Sequence, residues 1–236
     1  MGRAFEYRKA AKMKRWGNMS RIFPKLAKAV QIAAKEGGPD PDMNAALRVA
    51  IQNAKAQNMP KSNIEAAIKR ASGKDAEDFQ EVLYEGKGPH GVLVVVECAT
   101  DNTTRTVANV KSYFNKLGGS LVQTGSLDYM FDRKAVFEFT TPEGFDPEEF
   151  ELEMIDHGLQ TVEVDDDTVY AYANYTDFGT MSTALAEMKI EVIKSDLQRL
   201  PTSPVDYTDE QMEEIEKLID KLEDDDDVQA VFNNIA

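Results

Sequence analysis

The sequence is poor in the residues from which most small chemical sites are built. Its 236 residues include one cysteine, Cys98, and two histidines, His90 and His157. A single cysteine excludes an internal disulfide, and its place inside an apolar, strand-like run reads as a buried, unreactive thiol. Neither histidine accompanies the cysteine or carboxylate spacing of a zinc site or a nucleophile triad. No metal, no cofactor and no enzymatic activity are therefore expected. The acidic clusters at 165–167 and 223–227 lack the ligand spacing of a calcium loop and read as solvated turns. Long apolar runs are missing too. Val92-Leu93-Val94-Val95-Val96, the longest in the middle of the chain, is far short of the roughly 20 residues that span a bilayer. No apolar core follows the basic amino terminus as a secretory signal requires, so a cytoplasmic protein without membrane contact is expected.

What the chain does have is charge, unevenly placed. Residues 1–76 carry 16 Lys and Arg against 6 Asp and Glu, whereas residues 77–236 carry 11 against 36. Such an asymmetry suggests that the basic end meets a polyanion while the acidic remainder keeps it from adhering indiscriminately. The cations in question are Lys9, Lys12 and Arg15 on an amino-terminal arm, then Lys25, Lys28, Lys35, Arg48, Lys55, Lys69 and Arg70.

Hydrophobic periodicity places these cations on helices. Residues 3–16 read as a basic helix or helix-forming arm, with Arg8, Lys12 and Arg15 on one face, interrupted at Gly17-Asn18. In the next helix Leu26, Ala29, Val30 and Ala33 form an apolar stripe beside Lys25, Lys28 and Lys35, so it can pack and still present a basic ridge. Pro24 is expected in its first turn, which leaves Arg21 in the helix or in the loop before it. Gly37-Gly38 ends it. A third helix spans about 44–57, and a fourth starts near Ser62 and Glu65, which have capping-box spacing. Residues 1–76 thus read as a basic helical domain with an arm.

From Phe79 the pattern turns to strands. Strands are expected at 79–85, 91–99 and 127–131, with a helix at 103–117 between the last two. Residues 135–194 then give strand, helix, strand, strand, helix, strand, which is the ferredoxin-like order. After Pro201-Thr202-Ser203-Pro204, an acidic helix at 209–222 and a strand at 228–232 are expected to return to the sheet begun at Phe79. The fold class is α+β: a helical bundle followed by two α/β domains, the second ferredoxin-like and inserted into the first. The domains are 1–76, 77–132 plus 201–236, and 133–200.

Two loops invite a functional reading. Gly86-Lys87-Gly88-Pro89-His90-Gly91 satisfies G-x-G-x-x-G, but a strand follows it, where a dinucleotide site needs a helix. It reads as a hairpin loop with positive-φ glycines, or as a contact loop using Lys87 and His90. Thr100-Asp101-Asn102-Thr103-Thr104-Arg105 opens a helix after a strand, where free N–H groups and Arg105 can hold a phosphate or the side chains can simply cap the helix.

The wording of the chain resembles a known family. Gly37-Gly38-Pro39-Asp40-Pro41, Asn44, Leu47-Arg48, Ala54-Lys55-Ala56, Asn58-Met59-Pro60 and Ala67-Ile68-Lys69-Arg70 are similar to the signature of the YebC/PmpR family. Tyr84-Glu85-Gly86, Thr100-Asp101-Asn102, Arg105-Thr106, Gly118-Gly119 and Met130-Phe131-Asp132-Arg133-Lys134 resemble its middle domain. The opening, 1–16, is worded differently from the family's usual start. The resemblance implies three domains and a non-enzymatic, cytoplasmic, DNA-binding transcriptional regulator. A related mitochondrial branch, a translational activator of cytochrome c oxidase, implies the alternative of ribosome or RNA binding.

Overall fold

The computed structural model describes residues 19–73 and 78–236. The arm helix expected at 3–16, with Lys9, Lys12 and Arg15, lies outside them.

Three helices come first. Helix α1 (Met19–Gly37) contains Pro24. The helix starts earlier than the proline suggested, so Pro24 sits in the second turn and the backbone ladder lacks the bond its N–H would have made. Gly38, at φ +91°, turns the chain out of α1. Asn44 then caps α2 (Ala45–Ala56) by accepting from the Leu47 N–H at 3.0 Å. Its amide also donates to the Ala33 carbonyl at 2.7 Å and to that of Gly38 at 2.8 Å, fastening α2 to the end of α1. Helix α3 (Lys61–Ala71) begins directly after Pro60, which leaves Ser62 inside the first turn; the expected capping box does not form. Val30, Ala34, Leu47, Ala54, Ile64 and Ala67 make the small core of this unit.

The first sheet has the order β3-β1-β2-β8, with every neighbouring pair antiparallel. It comprises β1 (Gln80–Lys87), β2 (Leu93–Thr100), β3 (Ser120–Val122) and β8 (Val228–Asn233). Two helices cover one face, α4 (Thr103–Lys116) and α7 (Asp209–Glu223), burying Val110, Phe114, Ile215, Leu218 and Leu222 against Val94, Val96 and Cys98. The strand expected at 127–131 is instead a single 3-10 turn, Asp128–Met130, and the strand beside β1 is Ser120–Val122. The reason is Glu85, only 1% exposed. Its carboxylate accepts from the backbone N–H groups of Gly125 (2.8 Å) and Leu127 (2.7 Å), drawing this segment into a turn under the sheet.

The second sheet has the order β5-β6-β4-β7, again with antiparallel neighbours throughout. Its elements are β4 (Phe131–Thr140), α5 (Pro147–Met154), β5 (Leu159–Asp165), β6 (Thr168–Asn174), α6 (Phe178–Glu187) and β7 (Val192–Pro201). This is the ferredoxin-like arrangement. Because Phe131 pairs with Pro201, the entry and exit of this unit lie side by side. A unit whose ends meet can be inserted without separating the strands on either side of it, and β8 accordingly returns to pair with β2.

The helical unit touches both sheets. On one side Lys25 and Lys28 of α1 reach the end of α7 and the turn after it. On the other, the Asn53 amide of α2 exchanges two bonds with the Ser195 backbone of β7, donating at 2.7 Å and accepting at 3.1 Å. Asn53 thus occupies the open edge of β7 as a further strand would.

Candidate nucleic-acid interface

Helices α1 and α3 pack against each other and leave a groove of about 800 Å³. Lys28, Lys35 and Glu36 of α1 line it with Lys69 and Arg70 of α3, and Phe79 contributes its ring. The spacing of α1 sends Val30, Ala33 and Ala34 into the core, and the lysines at 28 and 35 are two turns apart on the neighbouring strip. Lys69 and Arg70 sit in the last turn of α3, where cations are favoured by the carbonyl end of the helix dipole. Among the described residues four cations and one carboxylate line the groove; of these, Lys28 pairs with Asp227 and Lys35 with Asp78.

The ten candidate cations do not share one environment. Lys9, Lys12 and Arg15 lie outside the described residues. Lys69, Arg70 and Lys55 are exposed, with no ion pair or hydrogen bond of their side chains among the described residues. Arg48 is exposed and donates to the backbone carbonyls of Pro41 (2.9 Å) and Asp42 (3.3 Å). Lys35 pairs with the exposed Asp78.

Lys25 and Lys28 are different. Lys25 Nζ donates to the Glu223 carbonyl at 2.7 Å, and burial pulls its pKa down, opposed by the carboxylates of Glu223, Asp225 and Asp226. Lys28 Nζ donates to three oxygens, the carbonyls of Ala99 (2.9 Å) and Asp226 (2.9 Å) and Asp227 Oδ1 (3.3 Å). Its side chain is 13% exposed and lies 4.9 Å from the centre of the Phe79 ring. These two lysines fasten α1 to the first sheet.

The far side of that contact is an acidic turn that is solvated as the sequence suggested at Asp224 and Asp226 but not at Asp227. Asp227 is 5% exposed. Its Oδ2 accepts from Arg105 Nη2 (2.8 Å), Arg105 Nε (3.2 Å) and Thr106 Oγ1 (2.9 Å). Burial by itself would raise this carboxyl, but the bonds from Arg105 and Thr106 and the charge of Lys28 outweigh it and hold the pKa below the ordinary value. Asp225 takes Tyr113 Oη at 2.9 Å and Asn109 Nδ2 at 3.2 Å, and burial with that bond pushes the Tyr113 phenol up to about 12. Cys98, beneath the turn, is pushed up to about 12 by burial, with Asp225 and Asp227 acting in the same direction.

The two loops resolve differently from the helices. Asn102 caps α4 by accepting from the Arg105 N–H at 3.0 Å, and the Arg105 guanidinium is committed to Asp227 and to Asp101 at 2.8 Å. In the glycine-rich loop His90 itself takes a positive φ of 57°, Gly91 follows at 80°, and His90 Nε2 lies 3.0 Å from Glu214 Oε2. Lys87 is exposed beside them. Gly86 and Gly119 are required for close approach: a Cβ on the first would stand 2.4 Å from Phe114 Cε1, and on the second 2.4 Å from the Lys87 carbonyl. Among the described residues no group of three or more His, Cys, Asp or Glu is placed to hold a metal ion.

Sequence reasoning missed Asp227, Phe79 and Asn53. Asp227 had one signal, its position just before a strand in an acidic run, but nothing local marks one carboxylate of such a run as the buried one. Asn53 reads as an ordinary polar helix residue until the β7 edge is brought to it.

Two family models cover nearly the whole chain. Residues 3–74 match the "TACO1/YebC protein N-terminal domain" and residues 79–235 the "TACO1/YebC second and third domain". A "Probable transcriptional regulatory protein" of Wolinella succinogenes is 63% identical over 237 residues, covering 100% of both chains. Another from Campylobacter jejuni is 57% identical over 235 residues, again covering 100% of both. Among solved structures, a conserved hypothetical protein from Aquifex aeolicus superposes with a TM-score of 0.79 at 34% identity, covering 93% of this chain and 91% of that one. The chain belongs to the TACO1/YebC family.

Proposed function

We propose that the protein is a non-enzymatic, nucleic-acid-binding regulator of gene expression that acts in the cytoplasm, with duplex DNA as its ligand. The observation that carries this reading is the cation-lined groove between α1 and α3, where Lys69 and Arg70 are exposed beside Lys35. Arg48 and Lys55 extend the cationic surface, and Lys9, Lys12 and Arg15 of the arm are assigned the same role from their place in the sequence. The relatives named as transcriptional regulatory proteins support DNA as the polyanion. The binding unit is residues 1–76, and the acidic parts, 77–132 with 201–236 and the inserted 133–200, carry and orient it. Lys87 and His90 are a secondary contact at most, since His90 already faces Glu214. Contacts of this kind grip phosphates rather than read bases, so modest sequence specificity is expected.

Fluorescence anisotropy of the full chain with a labelled DNA duplex, across a series of salt concentrations, tests this. Each phosphate neutralised contributes about −0.9 to the slope of log K against log salt. Lys69→Glu with Arg70→Glu should therefore flatten the slope by about 2 and weaken binding. A wild-type affinity that ignores salt overturns the reading. At least tenfold tighter binding to structured RNA than to DNA of equal length replaces it with the RNA-binding, translational-activator alternative.

A further inference from the structure

Lys25 and Lys28 belong to the basic face by sequence, yet both ammonium groups are taken up inside the molecule. The receiving element is the last residue of α7 together with the turn that follows it. It offers Lys25 the Glu223 carbonyl, and it offers Lys28 the Asp226 carbonyl and the Asp227 carboxylate. With the Ala99 carbonyl, the oxygens around Lys28 match its three N–H donors one for one. The turn is rigidly backed. Asp225 is held from α4 by Asn109 and Tyr113, Asp227 by Arg105 and Thr106, and the Ala99 N–H donates to the Asp227 carbonyl at 2.8 Å. A preformed cluster of oxygens on two adjacent lysines is chemically what a phosphate diester presents to them. Lys28 also lines the α1–α3 groove, so one residue borders both the turn and the groove.

We propose that the 223–227 turn is an intramolecular competitor of nucleic acid for Lys25 and Lys28, so that full engagement of the polyanion and release of α1 from the first sheet are one coupled event. The inference rests on the function proposed above and adds its regulation. In the docked state the groove cations Lys35, Lys69 and Arg70 make first contact. Transfer of Lys25 and Lys28 to phosphates then frees the helical unit to turn about its attachment to β7, the Asn53–Ser195 pair and the bond from Gln52 to the Val192 carbonyl. A ligand that binds the released arrangement better shifts the population toward it, and anything that weakens the turn raises affinity without adding a contact.

Three proteins, each the full chain, decide it in the anisotropy assay with a labelled DNA duplex. Asp227→Asn removes the charge that holds Lys28 and should bind three- to tenfold more tightly, with an unchanged salt slope. Lys25→Met with Lys28→Met removes two cations that end on phosphates and should bind more weakly, with a slope flatter by about 2. The competitor is overturned if folded Asp227→Asn binds no more tightly than wild type. It is equally overturned if the double lysine variant keeps the wild-type slope, which shows those lysines to be internal fasteners only. The second variant decides alone if Asp227→Asn fails to fold, as circular dichroism will report. In those outcomes wild-type binding and its loss on Lys69→Glu with Arg70→Glu still stand, so the proposed function survives; a wild type that binds no nucleic acid removes both.

Discussion

Replacing Asp227 with alanine should destabilise the protein at neutral pH, and by less in acid. The buried carboxylate accepts from Arg105 through two nitrogens, from Thr106 and from Lys28. Truncating one partner of a buried, charge-assisted cluster costs on the order of 3–5 kcal/mol. Arg105 retains Asp101 and Lys28 retains two carbonyls, so we place the loss at the lower end, about 3 kcal/mol. With a urea m-value of about 3 kcal/mol/M for the transition, the midpoint falls by about 1 M at constant m. The pH dependence follows from the native pKa lying below the ordinary 3.8. Between the two values the unfolded chain holds the proton and the native one does not, so this group's stabilisation is complete above 3.8 and disappears as pH falls through the native pKa. The alanine variant has no such group, so the gap between the two stability curves should narrow on acidification. Urea titrations followed by far-ultraviolet circular dichroism at pH 7 and in steps below pH 4 measure both effects. A change below about 0.5 kcal/mol at pH 7, the size of an ordinary surface substitution, refutes the reasoning, as does a gap that persists unchanged in acid.

Asn53→Ala removes both bonds to the Ser195 backbone and should cost about 1–3 kcal/mol, with faster hydrogen exchange at the Ser195 amide; unchanged exchange there would show that α2 does not cover the β7 edge in solution. Gly86→Ala places a methyl 2.4 Å from the Phe114 ring and should destabilise by about 1–3 kcal/mol, read as a lowered thermal midpoint. Cys98, 2% exposed and shifted from 9.0 to about 12, should react with iodoacetamide at pH 8 about a thousandfold more slowly than in the denatured chain, because so little of it is thiolate. Comparable rates in the two states would contradict its place in the core.

Much of the architecture is readable from short-range patterns. The helix stripes of α1 and α2 put Val30, Ala33, Leu47 and Ala54 in the core where periodicity places them, and the strand-helix-strand-strand-helix-strand order of the insert is found in the sheet as expected. The errors have identifiable causes. A three-residue strand, Ser120–Val122, is too short to show alternation, and the apolar 127–131 segment is bent by a carboxylate some 40 positions earlier in the chain, Glu85. Ser62 lost its capping role because the helix starts two residues sooner, with Pro60 at the cap position.

The charge asymmetry, the helical period of the basic third and the ferredoxin-like order are properties of the sequence alone, because each depends on residue identity and near-neighbour spacing. The fate of each charge is not. Lys25, Lys28 and Lys35 look alike along α1, but two of them meet a turn nearly 200 positions away while the third faces the exposed Asp78. Coulomb and hydrogen-bond energies depend on distance and solvent access, and both quantities exist only once the helical unit has been laid against the two sheets.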